Sequence, residues 1–267
     1  MSKVIAIANQ KGGVGKTTTA ISLGISLSKL GKNVLLVDLD GQGNLTMSLG
    51  YDPDKLNNTI TNLIECRIKD YNYKIEKDRY VIRTEESVNL LPADIGLSGI
   101  EVKMLNTINR ENILKNIIQS FKDDYDYIII DCLPSLGNLT INALVAADSV
   151  IIPVQSQYLS LKGMEQLLET VHGVKAQINP DLEVEGILLT MYDKRTNLSR
   201  EVLESVKETY ENYINIFRNV ISVSTKIAEA PSQGISIFKY QPKSEVARSY
   251  ELLAKEVIEN GKAEFEQ

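Results

Sequence analysis

The residues with the most chemistry in them come early in the chain: Lys11-Gly12-Gly13-Val14-Gly15-Lys16-Thr17-Thr18. An apolar run, Val4-Ile5-Ala6-Ile7-Ala8, precedes them and is short and β-prone enough for a buried strand. After them, residues 20–27 carry apolar side chains at helical spacing. A strand, a glycine-rich turn and a helix start together make a phosphate cradle. Backbone N–H groups without intrahelical partners converge there, and the helix dipole adds partial positive charge. Gly12, Gly13 and Gly15 permit backbone conformations that a Cβ resists. Lys16 is placed to reach the β- and γ-phosphates of a nucleotide, and the Thr17 hydroxyl to ligate Mg²⁺.

Three aspartates complete a hydrolytic set. Asp131 closes the apolar run Tyr127-Ile128-Ile129-Ile130, where a carboxylate would hold Mg²⁺ through water. Asp38 and Asp40 end a second apolar run, Asn33-Val34-Leu35-Leu36-Val37, before the turn Gly41-Gln42-Gly43-Asn44. A strand-to-loop break there lets both approach the phosphates. One can assist the metal while the other orients the attacking water, as nucleotide hydrolysis requires.

These residues need a scaffold that brings strand ends to one rim. Strands are expected at 4–8, 33–37, 88–92, 127–130, 149–154 and 186–190. Helices are expected at 20–27, 113–121, 138–147, 161–178, 198–213 and 244–260. Residues 56–86, with mixed charge and several tyrosines, suit a short helix and a surface hairpin. Alternation at this spacing predicts an α/β fold with a mostly parallel central sheet and helices on both faces. Ligands of such sheets bind at the carboxyl ends of the strands, where the glycine-rich loop, Asp38, Asp40 and Asp131 all fall.

The 267 residues, 43% hydrophobic, suit one domain spanning 1–267. Cys66 and Cys132 lie far apart without metal-ligand spacing, so reduced thiols are expected rather than a disulfide framework or zinc site. No apolar run reaches the roughly 18 residues that span a membrane, and a strand starts too early for a signal peptide. A cytoplasmic protein is expected. The net charge of −6 argues against a basic coat, yet leaves room for a local basic face. Between Thr190 and Lys255 there are ten Lys/Arg against eight Asp/Glu.

The glycine-rich string departs from the ordinary P-loop, G-x-x-x-x-G-K-[ST]. Gln10 stands where the first glycine belongs, and Lys11 is an extra lysine. K-G-G-x-G-K-[ST] resembles the deviant Walker A motif of the ParA/MinD group of ATPases. The resemblance covers nearly the whole chain. Val37-Asp38-Leu39-Asp40-Gly41-Gln42-Gly43-Asn44 is similar to V-D-x-D-P-Q-G-N of the Soj branch, with Gly41 for the usual proline, a change expected to loosen the turn. Ile129 to Gly137 is similar to I-I-D-C-P-P-S-L-G, and Pro153-Val154-Gln155 and Glu229-Ala230-Pro231-Ser232 match further family segments. The stretch before Glu229, Ile221 to Lys226, departs: a proline and an arginine of the family's I-P-R-N-V-R are missing.

The resemblance implies a DNA-partition ATPase using ATP and Mg²⁺. It makes Asp40 the water-positioning residue and sets Asp38 beside the metal with Thr17 and Asp131. Lys11 would reach across a face-to-face, ATP-dependent homodimer to the partner's nucleotide, as a point charge given in trans. The whole stretch from Lys11 to Thr18, Val14 and Thr18 included, would bind the nucleotide, with Met191 and Asp193 near the adenine. Arg195 and Lys226 match basic residues used for non-specific double-stranded DNA, giving a nucleoid-associated protein, and a centromere-binding ParB-like partner would stimulate hydrolysis. The alternative is a MinD-like switch acting on a membrane or protein. Its basic amphipathic tail has no counterpart in the acid-rich residues 255–267. A cluster-bridging reductase lacks suitably placed cysteines, and a related tyrosine kinase lacks a terminal tyrosine cluster. Asp40 beside Lys11 and Lys16 argues against a scaffold that binds ATP without hydrolysing it.

Overall fold

The computed structural model describes residues 2–157 and 160–265. Glu266 and Gln267, which close the acid-rich tail, lie outside the described residues. The elements follow in the order β1 (Lys3–Ile7), α1 (Lys16–Lys29), β2 (Val34–Leu39), α2 (Asn44–Ser48), α3 (Ile60–Lys69), α4 (Lys77–Tyr80), β3 (Ile82–Arg83) and β4 (Asn89–Leu91). Then come α5 (Leu97–Met104), α6 (Ile113–Gln119), β5 (Tyr127–Cys132), α7 (Asn138–Ala146), β6 (Ser149–Gln155), α8 (Ser160–Gln177) and β7 (Glu183–Thr190). The chain ends with α9 (Asn197–Tyr210), α10 (Thr225–Glu229), α11 (Ile237–Tyr240) and α12 (Glu245–Phe265).

The strands form one sheet in the order β3-β4-β2-β5-β1-β6-β7. Only β3, at the edge, runs antiparallel to its neighbour. The central strands β2 and β5 are apolar up to the aspartates near their carboxyl ends because both faces are covered. Ile5, Ile7, Leu36 and Ile129 point to one side, packing with Leu23 and Leu27 of α1 and Tyr250 and Leu253 of α12. Val4, Ala6, Leu35, Val37, Ile128 and Ile130 point to the other, against Leu63 of α3, Ile117 of α6, Leu144 of α7 and Leu167 of α8. Side chains two apart on a strand share a face, so Asp38, after Leu36, and Asp131, after Ile129, both turn toward α1. Parallel pairing of β2 with β5 sets Asp38 directly opposite Asp131.

The sheet agrees with the sequence reading in class and strand order of appearance, and the differences have causes. β7 begins at Glu183 rather than 186, since the buried Glu185 hides a strand behind a charge. Its carboxylate is held by Lys3 at 2.7 Å and by the Ser149 hydroxyl at 2.6 Å. α5 is not readable from sequence: Gly96 and Gly99 bracket its first turn and signal a loop. The stretch at 56–86 does hold a helix, α3, but no hairpin of its own among the described residues: β3 pairs instead with β4, the strand expected at 88–92.

Two glycines tie α2 to the C-terminal segment. Gly50 follows α2 with φ of 89°, and Gly234 follows the turn Ala230–Gln233 with φ of 64°. A Cβ on Gly234 would stand 2.7 Å from the Gly50 Cα, where backbone cannot yield. Gly234→Ala therefore combines left-handed strain with a backbone clash. It is expected to lower stability by about 1–3 kcal/mol, read as a lower urea midpoint at unchanged m-value.

Candidate active site

The glycine-rich loop sits between β1 and α1 with Gly13 and Gly15 in the left-handed region, φ 74° and 89°. Space is open where a Cβ on Gly12 or Gly13 would stand, so the cradle faces outward, bare of side chains. Its ends are pinned by residues from three strand ends. Asn9 donates its side-chain amide to the Pro153 carbonyl at 2.8 Å and accepts the Lys11 N–H at 2.9 Å. Thr190, closing β7, donates its hydroxyl to the Val14 carbonyl at 2.8 Å. The Thr19 and Tyr250 hydroxyls meet at 3.2 Å in the core behind the loop.

Lys16 is buried, its ammonium donating to the Lys11 carbonyl at 3.1 Å. Burial pushes its pKa below the ordinary lysine range, while the nearby Asp131 and Asp40 carboxylates pull it upward. Lys11 is half-buried, and Thr17 and Thr18 are partly open to solvent.

The carboxylates behave differently from one another. Asp131 is buried and neither of its oxygens has a full hydrogen bond. Burial and then the Asp38 charge push its pKa well above the usual carboxylate range; the Thr17 hydroxyl and Lys16 oppose them without closing that gap. Asp38 is also buried, and burial raises it to about 6. Its oxygens are engaged, accepting the Thr46 N–H at 2.9 Å, the Thr46 hydroxyl at 2.7 Å and the Asp40 N–H at 3.2 Å. Expected beside the metal, Asp38 in this structure holds the turn into α2. Asp40 lies past the end of β2, half-exposed, with one oxygen accepting the Gln42 N–H at 3.0 Å.

On the same rim, the chain after β7 lies beside the segment before α10. The Tyr192 N–H donates to the Ile221 carbonyl at 2.9 Å and the Val223 N–H to the Tyr192 carbonyl at 3.1 Å. Met191 takes φ of 50°, unusual for a side chain of its size, as the chain turns out of the sheet. Asp193, expected near the adenine, is occupied by Arg195: Nε to Oδ1 at 2.9 Å and the second guanidinium nitrogen to Oδ2 at 2.8 Å. That fork holds the Asp193 carboxyl down at about 2. Lys226 pairs with Glu229 at 2.9 Å and lies over the Tyr240 ring. The Thr190 bond to Val14 thus sets Met191, Asp193 and Arg195 a few residues from the cradle, and the Tyr192 pairing brings the segment leading to Lys226 alongside, both cations in the company of acids.

A protein-family model described as an AAA domain matches residues 2–184. The sequence is 47% identical to the sporulation initiation inhibitor protein Soj of Bacillus subtilis, over 98% of this chain and 100% of that protein. It is 42% identical to the chromosome partitioning protein ParA of Myxococcus xanthus, over 97% of this chain and 88% of the relative. The chain belongs to the ParA/Soj family of ATPases. The solved structure of cobyrinic acid a,c-diamide synthase from Mycobacterium smegmatis with bound ATP analog and magnesium has a TM-score of 0.85 and 39% identity, covering 98% of this chain and 96% of that one. The same mycobacterial protein is also solved with ADP and magnesium. This ParA/Soj protein is an ATP hydrolase that works with ATP and Mg²⁺.

The residues present fit the metal. A buried carboxylate with both oxygens unbonded, beside a second carboxylate and a threonine hydroxyl, is a site that a divalent cation satisfies. The described residues hold no group of three or more acidic, His or Cys ligands. Mg²⁺ needs none, since it keeps waters and binds through one or two carboxylates plus phosphate oxygens. In the ParA/Soj site Thr17 and Asp131 would hold it, and bound there it would neutralise phosphate charge.

Asn9, Thr46 and Thr190 escape the sequence reading. Each is a single polar residue at a strand or helix edge, and only the fold shows that those edges converge. Gly41 was expected to loosen its turn. The structure gives it another reason: it is buried, and a Cβ there would stand 2.5 Å from the Ser98 hydroxyl oxygen and 3.1 Å from the Ser98 nitrogen.

Asp131→Asn removes a buried charge that the nucleotide-free protein does not satisfy. In Mg²⁺-free buffer near pH 7 the variant is expected to be more stable by about 1 kcal/mol or more, a Tm rise of about 2–4 °C, while losing ATP hydrolysis. The wild-type carboxyl binds a proton in the folded state at pH values where the unfolded chain has released it, so its stabilising contribution is lost as pH rises. The advantage of the variant should therefore shrink as pH falls. Melts across pH with and without Mg²⁺ check both statements.

Proposed function

We propose that this ATPase drives DNA segregation. Mg·ATP promotes a face-to-face homodimer, the dimer binds double-stranded DNA without sequence preference, and hydrolysis, stimulated by a ParB-like centromere-binding partner, releases it. The observation that carries the reading is the full-length similarity to Soj, a deviant Walker A lysine included. In this cycle Lys16 binds the β- and γ-phosphates, the backbone from Gly12 to Thr18 cradles them, and Asp40 orients the attacking water. Lys11 reaches the partner's nucleotide and adds charge compensation. Met191 and Asp193 border the adenine.

Arg195 and Lys226 supply the DNA contacts. Both are exposed ion pairs, and pairs of that kind are weak enough for a DNA phosphate to replace the carboxylate. Among the described residues no helix is long and apolar enough to cross a membrane, and the acid-rich tail disfavours anionic lipid. The mycobacterial synthase shares the ATP-handling core, but the higher identity to Soj favours partition over the chemistry that its name describes.

The deciding experiment is binding to a random-sequence duplex with ATP, ADP or no nucleotide at two salt concentrations. ATP-selective, salt-sensitive binding supports the cycle; dimerisation without DNA binding in any state moves the target to a protein or membrane. Two variants assign the residues. Asp40→Ala should retain ATP binding, lose about 100-fold or more in turnover and accumulate as a DNA-bound dimer, and a variant that stays monomeric with ATP overturns that role. Arg195→Glu should abolish DNA binding in a mobility shift while ATP-driven dimerisation, followed by light scattering, persists.

A further inference from the structure

Helix α5 touches both loops that leave the carboxylate-bearing strands. Gly41, directly after Asp40, packs against its first turn so closely that no Cβ fits beside Ser98. Glu101, three residues along the helix, accepts the Leu139 N–H at 3.3 Å where α7 begins. The same carboxylate lies against Gly137, whose Cβ would collide with it. Residues three apart share one face of a helix, so Ser98 and Glu101 present a single edge to the two loops. Leu97, Ile100 and Met104 lock that helix into the core and are fully buried.

Asp40 needs such a support. It lies outside β2, half-exposed, and among the described residues its carboxylate accepts the local turn bond from Gln42. Its backbone N–H reaches Asp38 at 3.2 Å, which fixes the chain before the side chain but not after it. On the far side the next residue is Gly41, and Ser98 packs closely against it.

We propose that α5 is the positioning helix for hydrolysis: Ser98, through Gly41, sets where Asp40 stands, and Glu101 sets the loop after Asp131. Neither residue touches the nucleotide; both act through the loops. The inference rests on the reading of Asp40 as the water-orienting residue. A displacement of about 1 Å of such a group costs about a hundredfold in rate, so a sub-ångström clash has a kinetic signature. The absence of a proline at position 41 then has a physical cause, since an added ring would meet Ser98 first.

Gly41→Ala is the test. Gly41 does not have a positive φ, so alanine adds the clash without backbone strain. Expected is a fall in kcat of about tenfold or more, with the KM for ATP and the ADP affinity changed by less than about threefold. Gly41→Ala/Ser98→Ala removes the hydroxyl oxygen at 2.5 Å and leaves the Ser98 backbone nitrogen at 3.1 Å, still a tight approach, and the Ser98 Cβ at 3.6 Å, an ordinary contact. The double variant should regain a measurable part of the lost kcat, the part due to the hydroxyl. A purely structural role would lower active protein and Tm together and would not produce this split. Unchanged kcat in Gly41→Ala, or a loss that Ser98→Ala does not relieve, overturns the Ser98 assignment. Should Gly41→Ala fail to fold, Glu101→Ala loosens the second loop without touching Gly41; a fall in kcat at constant KM supports the helix's role and unchanged kcat overturns it. Full turnover in Asp40→Ala would instead remove the reading of Asp40 on which the proposal stands, and is a separate result.

Discussion

Two carboxylates stand side by side in the core of the sheet, and most of the site derives from having to accommodate them. The register of β2 against β5 sets Asp38 opposite Asp131, and the strand pleat turns both to the side where α1 begins. Like charges so close in a buried place disfavour ionisation, and both groups titrate above their usual range. The protein resolves the conflict unequally. Asp38 is given three donors from the turn into α2 and becomes part of the scaffold. Asp131 is left without a full hydrogen bond, its charge opposed only in part by the Thr17 hydroxyl and the Lys16 ammonium nearby, and Mg²⁺ held there would complete the compensation.

This inequality shows how ligand binding and order are connected. Lys16 is itself disfavoured by burial and partly sustained by Asp131, so neither charge is at ease without phosphate and metal. A site that is electrostatically incomplete gains more from its ligand than one already satisfied. The same turn that satisfies Asp38 carries Asp40 and Gly41. The seating of Asp38 and the placement of Asp40 are therefore set within one short segment, residues 38–46.

Much of this was legible in the sequence, for a physical reason. Strands buried on both faces read as unbroken apolar runs, so β1, β2, β5 and β6 are found directly, and the glycine-rich string has few other uses. Glu185 hides the start of β7 because a buried charge defeats a hydrophobicity pattern until its partners, Lys3 and Ser149, are known. α5 is hidden by its glycines, yet one of the contacts it makes explains a departure from the family motif. Gly41 looked like a loss of stiffness because a sequence shows what a residue permits and not what approaches it. Asn9 and Thr190 carry no periodic signal; their use depends on the ends of β1, β6 and β7 meeting at one rim.

The same rim explains how the basic edge is coupled to the cradle. Thr190 bonds the Val14 carbonyl, Met191 turns the chain through a left-handed conformation, and Asp193 and Arg195 come within a few residues of it. The path from phosphate loop to guanidinium is thus one hydrogen bond followed by a short run of chain, stiffened by the Tyr192 pairing with Ile221 and Val223. Arg195 at the end of it is held by the half-buried Asp193 carboxylate, with its own side chain 85% open to solvent. A fork between such groups has good geometry but is screened by water and salt. Its cation is available to a stronger anion, and a polyanion offering several phosphates at once outcompetes one carboxylate. In the proposed partition cycle an acidic protein would present its DNA-binding edge in this way, with its cations kept quiet by neighbours that yield easily, and a net charge of −6 is no obstacle to that.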